Sequence, residues 1–363
     1  MKINWKIWRS FDWLLYALPI ILVILGIATI YSLTYYENIK LFYNQIIFAS
    51  IGIILMLAFT FLDYRHLKSA SIPIYLIGLI MLVLIFFVGK SSFGATRWFS
   101  LGFFDLQPAE IFKLILIIFL SSYLSDKIGN LTFKNIGIAA IITLIPVVLV
   151  MLQPDLGTAI ILMLIFLSLL IACKLNFKQV AMFLVIISIL VFTGWHFLKD
   201  YQKERLVTFM NPAHDPYGSG YNVTQSLITV GSGGLFGKGF GHGPQSQLNF
   251  LPVAHTDFVF AGIAEATGFA GSIILLALFI ILLFKIINLA RISKDNFGAL
   301  LSIGIASFIF FQVIINIGMN IGLAPVTGIP LPFISSGGSS LILVLICIGI
   351  LQSIYLRHKK IVF

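Results

Sequence analysis

The sequence predicts an all-α polytopic membrane bundle of ten helices, and three observations carry that prediction. Hydrophobic residues make up 60% of the chain and charged residues only 10%, where a soluble domain carries roughly 25% charged residues. Mean hydropathy is +1.06. Ten apolar runs approach the length of about 20 residues with which a helix crosses a bilayer.

In chain order the runs are about 13–33, 43–62, 70–89, 106–124, 136–152, 156–173, 177–198, 258–284, 297–322 and 333–356. Met1 to Asp12 followed by an apolar run has the look of a signal peptide. The run is about 20 residues long against the 7–15 of a signal-peptide core, so it is read as the first span. The fifth and sixth runs meet at Gln153-Pro154-Asp155-Leu156-Gly157, a tight turn in which proline stops one helix. Between the seventh and eighth lies a polar loop, 199–257, rich in Gly, Tyr, Gln and His. The whole chain, 1–363, reads as one integral membrane domain with that loop inside it. No internal repeat is visible, which weighs against a transporter built from inverted halves. Cys173 and Cys347 lie in or beside apolar runs; they are expected to be small buried hydrophobes, with no disulfide and no zinc site.

The net charge of +10 would suit a nucleic-acid surface, but its placement argues against one. With the N-terminus inside, the inner segments hold about twice as many Lys and Arg as the outer ones, the bias that orients membrane proteins. Both termini are then cytoplasmic, and the basic charge is topological and lipid-facing. Two long segments fall outside: Lys90 to Gln107 and Lys199 to Asp257.

Several constellations could carry chemistry. Asp257 stands where the outer loop meets the eighth span, in Leu251-Pro-Val-Ala-His-Thr-Asp-Phe258. A carboxylate there is poorly placed for structure and well placed for work on a lipid-linked substrate. Glu110 and Lys113 sit three apart on one face of the fourth span. Buried charges of this kind are paired or functional; mutual neutralisation and the lining of a polar cavity are compatible readings. Glu265 lies eight residues beyond Asp257, a little over two helical turns, so the two are expected on roughly one face. The alternative for Glu265 is a carboxyl hydrogen-bonded inside the bundle.

The stretch Gly231 to Gly243 has seven glycines in 13 residues. It fails the Walker pattern, because Ser232 replaces the first glycine and Gly239 follows Lys238 instead of Ser or Thr. It is either a backbone-amide nest that, with Lys238, meets a pyrophosphate, or a flexible loop close to the membrane. His214, His242 and His255 share the outer loop without zinc-site spacing. The only span histidine, His196, lies at an outer end, which disfavours an intramembrane serine protease. Trp98, Tyr201, Tyr217 and Tyr221 suit sugar stacking, or an ordinary interfacial aromatic belt.

Read together, Gly94-Ala-Thr-Arg-Trp98, Gln107-Pro-Ala-Glu-Ile-Phe-Lys113, Gln153-Pro-Asp-Leu-Gly-Thr-Ala159 and Tyr201-Gln-Lys-Glu-Arg205 resemble segments of the SEDS family (shape, elongation, division and sporulation). So do Gly220-Tyr-Asn-Val-Thr-Gln-Ser226, Gly231 to Gly239, His255-Thr-Asp-Phe258, Pro325-Val-Thr-Gly-Ile-Pro-Leu-Pro-Phe333 and Gly337-Gly-Ser-Ser340. The matches run in family order from the first outer loop to the last helix. The Pro-Val-Thr-Gly-Ile-Pro run and the short termini look more like the family's elongation branch than its division branch. The resemblance implies ten transmembrane helices in the bacterial inner (cytoplasmic) membrane, and polymerisation of lipid II into β-1,4 glycan by a peptidoglycan glycosyltransferase. It puts the catalytic aspartate at Asp257, in a motif with His255 and Thr256, the buried pair at Glu110 and Lys113, and the loop tryptophan at Trp98. It also implies a class B penicillin-binding protein as transpeptidase partner, within the elongation machinery. The chain departs from the pattern at Pro252-Val253-Ala254, where members often have Pro-Glu and a basic residue, and at Gly243-Pro244-Gln245, where Gly-Thr-Gln is expected.

Lipid II is an α-linked sugar pyrophosphate, so a β-1,4 product requires inversion. Asp257 would take the proton of the attacking 4-hydroxyl. Arg97, Arg205 and Lys238 are outward-facing cations for the departing pyrophosphate. A divalent cation, Mg or Mn, could bridge the phosphates, although the sequence has no cage for one. The rival reading is a lipid II flippase, which favours charges near the membrane midplane over a carboxylate at the outer mouth.

Overall fold

The structure, a computed structural model, describes residues 11–35, 38–92, 95–100, 102, 105–176, 178–180, 182, 200–212, 215, 218–248 and 250–358. Among them, eight helices are long and apolar enough to cross a membrane. They are α1 (Trp13–Thr34), α2 (Ile39–Phe61), α4 (Ser71–Val88), α5 (Pro108–Ser125), α6 (Phe133–Leu152), α11 (Val259–Ile292), α12 (Asn296–Asn320) and α13 (Gly338–Arg357). A short helix, α3 (Arg65–Ser69), precedes α4, and α7 (Leu156–Ala172) is apolar but shorter. The chain is a polytopic helical membrane protein. The seventh predicted run, 177–198, falls almost wholly outside the described residues.

Local sequence fixes where the spans begin. Asp12 accepts from the backbone N–H groups of Leu14 and Leu15 and caps α1. Thr132 caps α6 and Asp295 caps α12 in the same way. Each side-chain oxygen satisfies an amide that a helix start leaves open. The helix α5 is the central post: 78% of its apolar window is buried, against 22% for α2 and 28% for α4. The α4 face turned outward carries Ile72, Ile77 and Phe87, the apolar surface that lipid covers. Against α13, α2 approaches closely because Gly349 has no side chain; a Cβ there would collide with the Met56 carbonyl. Small residues at such crossings are the usual means by which membrane helices pack.

Four features differ from the sequence-based expectation. The segment after α4 is a small antiparallel sheet, β1 (Lys90–Ser92), β2 (Ala95–Ser100) and β3 (Asp105–Leu106), with Lys90 opposite Trp98 and Phe99 opposite Leu106. These strands are too short for alternation to reveal them. The polar loop 199–257 contains α8 (Asp200–Met210), α9 (Ser219–Ser232) and α10 (Pro244–Gln247). The last span starts at Gly338, not at about 333. The stretch before it is nevertheless buried, with Leu331, Phe333 and Ile334 at most 1% exposed. Its apolarity imitates a helix start, but Pro330 and Pro332 cannot supply ladder N–H groups.

The fourth difference concerns α11, which runs to Ile292 and is broken at Gly268 (φ 69°, ψ −165°). The glycine-rich segment fills the break. Lys238 N–H and Gly239 N–H donate to the Glu265 and Ala266 carbonyls at 3.0 and 2.9 Å. In return Phe269 N–H and Ala270 N–H donate to the Gly234 and Leu235 carbonyls at 2.9 and 3.0 Å. A break in a membrane helix survives only where its backbone groups find partners, and here the loop supplies four. An added Cβ at Gly268 would meet the Gly237 nitrogen and the Leu235 carbonyl, and its backbone lies in a region open essentially to glycine alone. Gly268→Ala is therefore expected to cost about 2–3 kcal/mol, read as a lower thermal unfolding midpoint in detergent.

Candidate active site

Asp257 is carried by a run of turns, 251–258, that leads into α11. Two amides of α12 grip its backbone. Asn316 Nδ2 and Asn320 Nδ2 donate to the Asp257 carbonyl at 3.0 and 3.1 Å. Asn316 also donates to the Ile329 carbonyl at 2.8 Å, and the Asn320 side-chain oxygen accepts from Ala261 N–H at 3.1 Å. Both asparagines are fully buried. One and two residues earlier, Ser335 Oγ donates to the Thr256 carbonyl at 2.6 Å, and Ser336 N–H donates to the His255 carbonyl at 2.9 Å. Gln45 of α2 in turn donates to the Ser335 carbonyl. The aspartate is thus on a turn whose backbone is fixed by α2, α12 and the 321–337 segment together.

The side chain faces the Gly328 turn. A Cβ at Gly328, where φ is +72°, would stand 3.5 Å from the Asp257 carboxylate. Arg205, Arg97 and Asp155 are close enough to act on its charge. Arg205, on α8, donates to the Val326 carbonyl at 3.1 Å. Arg97, on β2, donates through Nε to the Gln153 carbonyl at 2.9 Å and through a terminal nitrogen to the Pro154 carbonyl. Asp155 caps α7 through Thr158 N–H and accepts from Gln107 Nε2 at 3.0 Å. A strand, a helix and a helix cap therefore converge on one carboxylate.

Burial pushes the Asp257 carboxyl up to about 6. Arg205, a hydrogen bond from Thr256, and Arg97 pull it down, while Asp155 pushes it further up. Desolvation outweighs the two cations, so the carboxylate is ionised at neutral pH yet much more basic than a surface aspartate. That is the property a general base needs.

Other predicted residues are located as follows. Trp98 is half-buried on β2, beside Arg97. Glu110 and Lys113 form a buried ion pair on α5, Oε1 to Nζ 2.6 Å, with the ammonium 5.0 Å from the Phe308 ring centre. Glu110 lies in the first turn of α5, three residues after the cap residue Gln107 that donates to Asp155. Lys238 is exposed.

Two expectations about this region do not hold. The backbone amides of Lys238 and Gly239 are committed to α11, and Gly241 N–H donates to Ser32 Oγ, so those amides make no phosphate nest. Asp257 precedes α11, so Asp257 and Glu265 do not share a helix face. Glu265 is 0% exposed. It accepts from Ser232 Oγ, from Gln245 N–H and Ser246 N–H at 2.9 and 3.0 Å, and from Ser246 Oγ. It clamps the glycine segment onto α11, the hydrogen-bonded alternative. Replacing it by Ala strands several buried donors. Glu265→Ala is expected to cost about 3 kcal/mol, with proteolytic nicking between α9 and α10 as the readout.

The sequence reading missed Asp155, Asn316 and Asn320 as site residues. The available signal was Gln312, Asn316 and Asn320 at four-residue spacing in a span, a buried polar stripe on one helix face. Asp155 lies in the Gln-Pro-Asp-Leu-Gly segment, whose proline makes it look like a turn alone.

This geometry can be set beside known proteins. The profile of a family described as "Cell cycle protein", that of FtsW, RodA and SpoVE, matches residues 10–360. The chain belongs to the FtsW/RodA/SpoVE family. It is 38% identical over 312 residues to the peptidoglycan glycosyltransferase MrdB of Escherichia coli K12, covering 86% of this chain and 84% of that one. It is 36% identical over 354 residues to the stage V sporulation protein E of Bacillus subtilis 168, covering 94% and 96%. Among solved structures, a chain of a peptidoglycan synthase complex that coordinates polymerization and crosslinking superposes with a TM-score of 0.85 at 32% identity, covering 96% and 99%. The rod shape determining protein RodA of Thermus thermophilus superposes at 0.74 with 29% identity, covering 97% and 99%. Within this FtsW/RodA/SpoVE fold, the departing residue Val253 takes φ 55°, a conformation that a β-branched residue rarely adopts. It lies four residues before Asp257, on the same turn.

Proposed function

We infer that this chain is a peptidoglycan glycosyltransferase that polymerises lipid II, with Asp257 as the base for an inverting transfer. The observation that carries the reading is the convergence of Arg97, Arg205 and Asp155 on the Asp257 carboxylate, whose backbone Asn316 and Asn320 hold in place. The acceptor's 4-hydroxyl gives its proton to Asp257 as its oxygen attacks the donor's anomeric carbon. The polyprenyl pyrophosphate leaves on the opposite face, and Arg97 and Arg205 meet its charge. Asn316 and Asn320 keep the Asp257 backbone in register while this happens. Trp98 supplies a sugar-stacking face, and Lys238 a further cation at the mouth.

The kinship to MrdB supports an elongation role, with a class B penicillin-binding protein as partner; the division role is the alternative. We propose ten spans with both termini cytoplasmic and Asp257 on the outer face of the bacterial inner membrane. Among the described residues, no three His, Cys, Asp or Glu side chains are grouped to hold a metal. A divalent cation would arrive with the pyrophosphate, and Asp155 is the carboxylate at hand beside the base. If EDTA left the rate unchanged, that part would be wrong.

The test is a purified-protein assay on labelled lipid II, with and without the transpeptidase partner and Mg or Mn. Wild type should give glycan ladders and a folded Asp257→Ala variant none. Ladder-free wild type that carries lipid II across vesicles would assign a flippase instead.

A further inference from the structure

Two cavities open side by side on the membrane face remote from Asp257, and the reaction uses neither. Their depth follows from the helices. They are lined by Arg65 and Lys68 of α3, by residues at the start of α4 and the end of α5, and by Lys294 and Asn296 at the start of α12. The 25 residues of α12 set that end about 37 Å from Asn320, which grips Asp257. The cavities therefore lie at headgroup level in the opposite leaflet. Their volumes are about 530 and 490 Å³, and they share Arg65, Lys68 and Asp126.

The lining has two characters. One wall is apolar and faces lipid: Ile72, 61% exposed, with Phe119 one helix away. The other wall is charged, with Arg65, Lys68 and Lys294 against Asp126 and Asp295, an excess of one positive charge. The ion pairs present are open to solvent. Lys68 Nζ lies 3.0 Å from Asp126, with 40% and 74% of the side chains exposed. Arg65 Nε lies 3.6 Å from Asp295, with 48% and 36% exposed. Such pairs contribute about 1 kcal/mol at most, so an incoming phosphate displaces them at little cost. The backbone under Lys68 is fixed, because Ser71 Oγ and Ser122 Oγ both donate to its carbonyl. The cation therefore emerges at a set position.

We propose that this cavity binds the phosphodiester headgroup of an anionic diacyl phospholipid, with Arg65 and Lys68 on the phosphate and an acyl chain along Ile72 and Phe119. Basic pockets between spans at the membrane edge recognise headgroups in this way. The apolar wall selects a lipid over free phosphate, which has no use for it.

The experiment titrates the purified full-length protein with phosphatidylglycerol, phosphatidylcholine or inorganic phosphate. Retained lipid is counted by native mass spectrometry, and the thermal midpoint is followed in parallel. Wild type should retain phosphatidylglycerol and rise in midpoint with it alone. R65Q/K68Q should bind it about 30-fold more weakly, at roughly fivefold per basic residue. K134Q/R291Q, which removes two exposed cations of the same face outside the cavity, should bind as wild type does. If R65Q/K68Q fails to fold, K68Q alone should show the fivefold loss. Undiminished binding by R65Q/K68Q or K68Q overturns the site. An equal loss in K134Q/R291Q assigns the effect to diffuse surface charge. An equal midpoint rise with inorganic phosphate assigns the cavity to a free anion.

Discussion

Replacing Asp257 with Asn should abolish polymerisation and make the protein more stable. A positioned base contributes about 10²–10⁴-fold, so the folded variant should lose at least that factor in kcat on lipid II. The stability change runs the other way because the site is built against ionisation. Burial raises the carboxyl from 3.8 to about 6. A carboxyl whose folded pKa is raised binds its proton more tightly folded than unfolded. Its stabilising contribution is complete below about pH 4 and is lost as pH rises through about 6. At neutral pH the native protein therefore carries a penalty on the order of 3 kcal/mol that Asn, neutral at every pH, does not carry. The midpoint of Asp257→Asn should exceed that of wild type at pH 7.5, and the gap should close at pH 4. Wild-type activity should fall along a single titration near pH 6 on the acid side, where the base becomes protonated. An Asn variant no more stable than wild type at pH 7.5 would remove the desolvated-base account, whatever its activity.

How much of this was legible follows from which interactions are local. Asp257, Glu110 and Lys113 stood out because charge is scarce in this chain, and a charge within lipid must have a reason. The spans were legible because the bilayer imposes a length. What escaped was long-range. Nothing in Gly231–Gly243 says that its amides will complete a helix broken at Gly268; a glycine run is equally a phosphate nest until its partner is seen. Asp155 reads as a turn residue until Gln107 and Arg97 are found around that corner. Asn316 and Asn320 look like tolerated polar groups in a span, and their work on the Asp257 carbonyl depends on a fold in which α12 passes under that turn. Leu331 to Ile334 imitates a helix because burial in a membrane protein is apolar whether or not the backbone is helical.

The second large effect concerns the pair on α5. Lys113 is 1% exposed and its partner nearly as buried, with 2.6 Å between Nζ and Oε1. Lys113→Met removes the cation and leaves Glu110 charged in the bundle, with Oε2 lacking a hydrogen-bond partner among the described residues. Breaking a buried pair from one side costs about 3–5 kcal/mol, whereas replacing both members by uncharged groups is often neutral. The expected order of thermal midpoints is therefore wild type, then E110Q/K113M close behind, then K113M well below both. The single variant E110Q should fall between them, since an unpaired Lys113 still has the Phe308 ring. If the double variant were no more stable than K113M, mutual neutralisation would not be what retains the pair. Activity separates the remaining readings. Glu110 sits one turn below Gln107, which donates to Asp155 beside the base. If the pair helps set the field there, E110Q/K113M should regain its stability while its kcat stays at least about tenfold low and its acid-side titration moves. A double variant as active as wild type, with an unmoved titration, would make the pair a packing device alone.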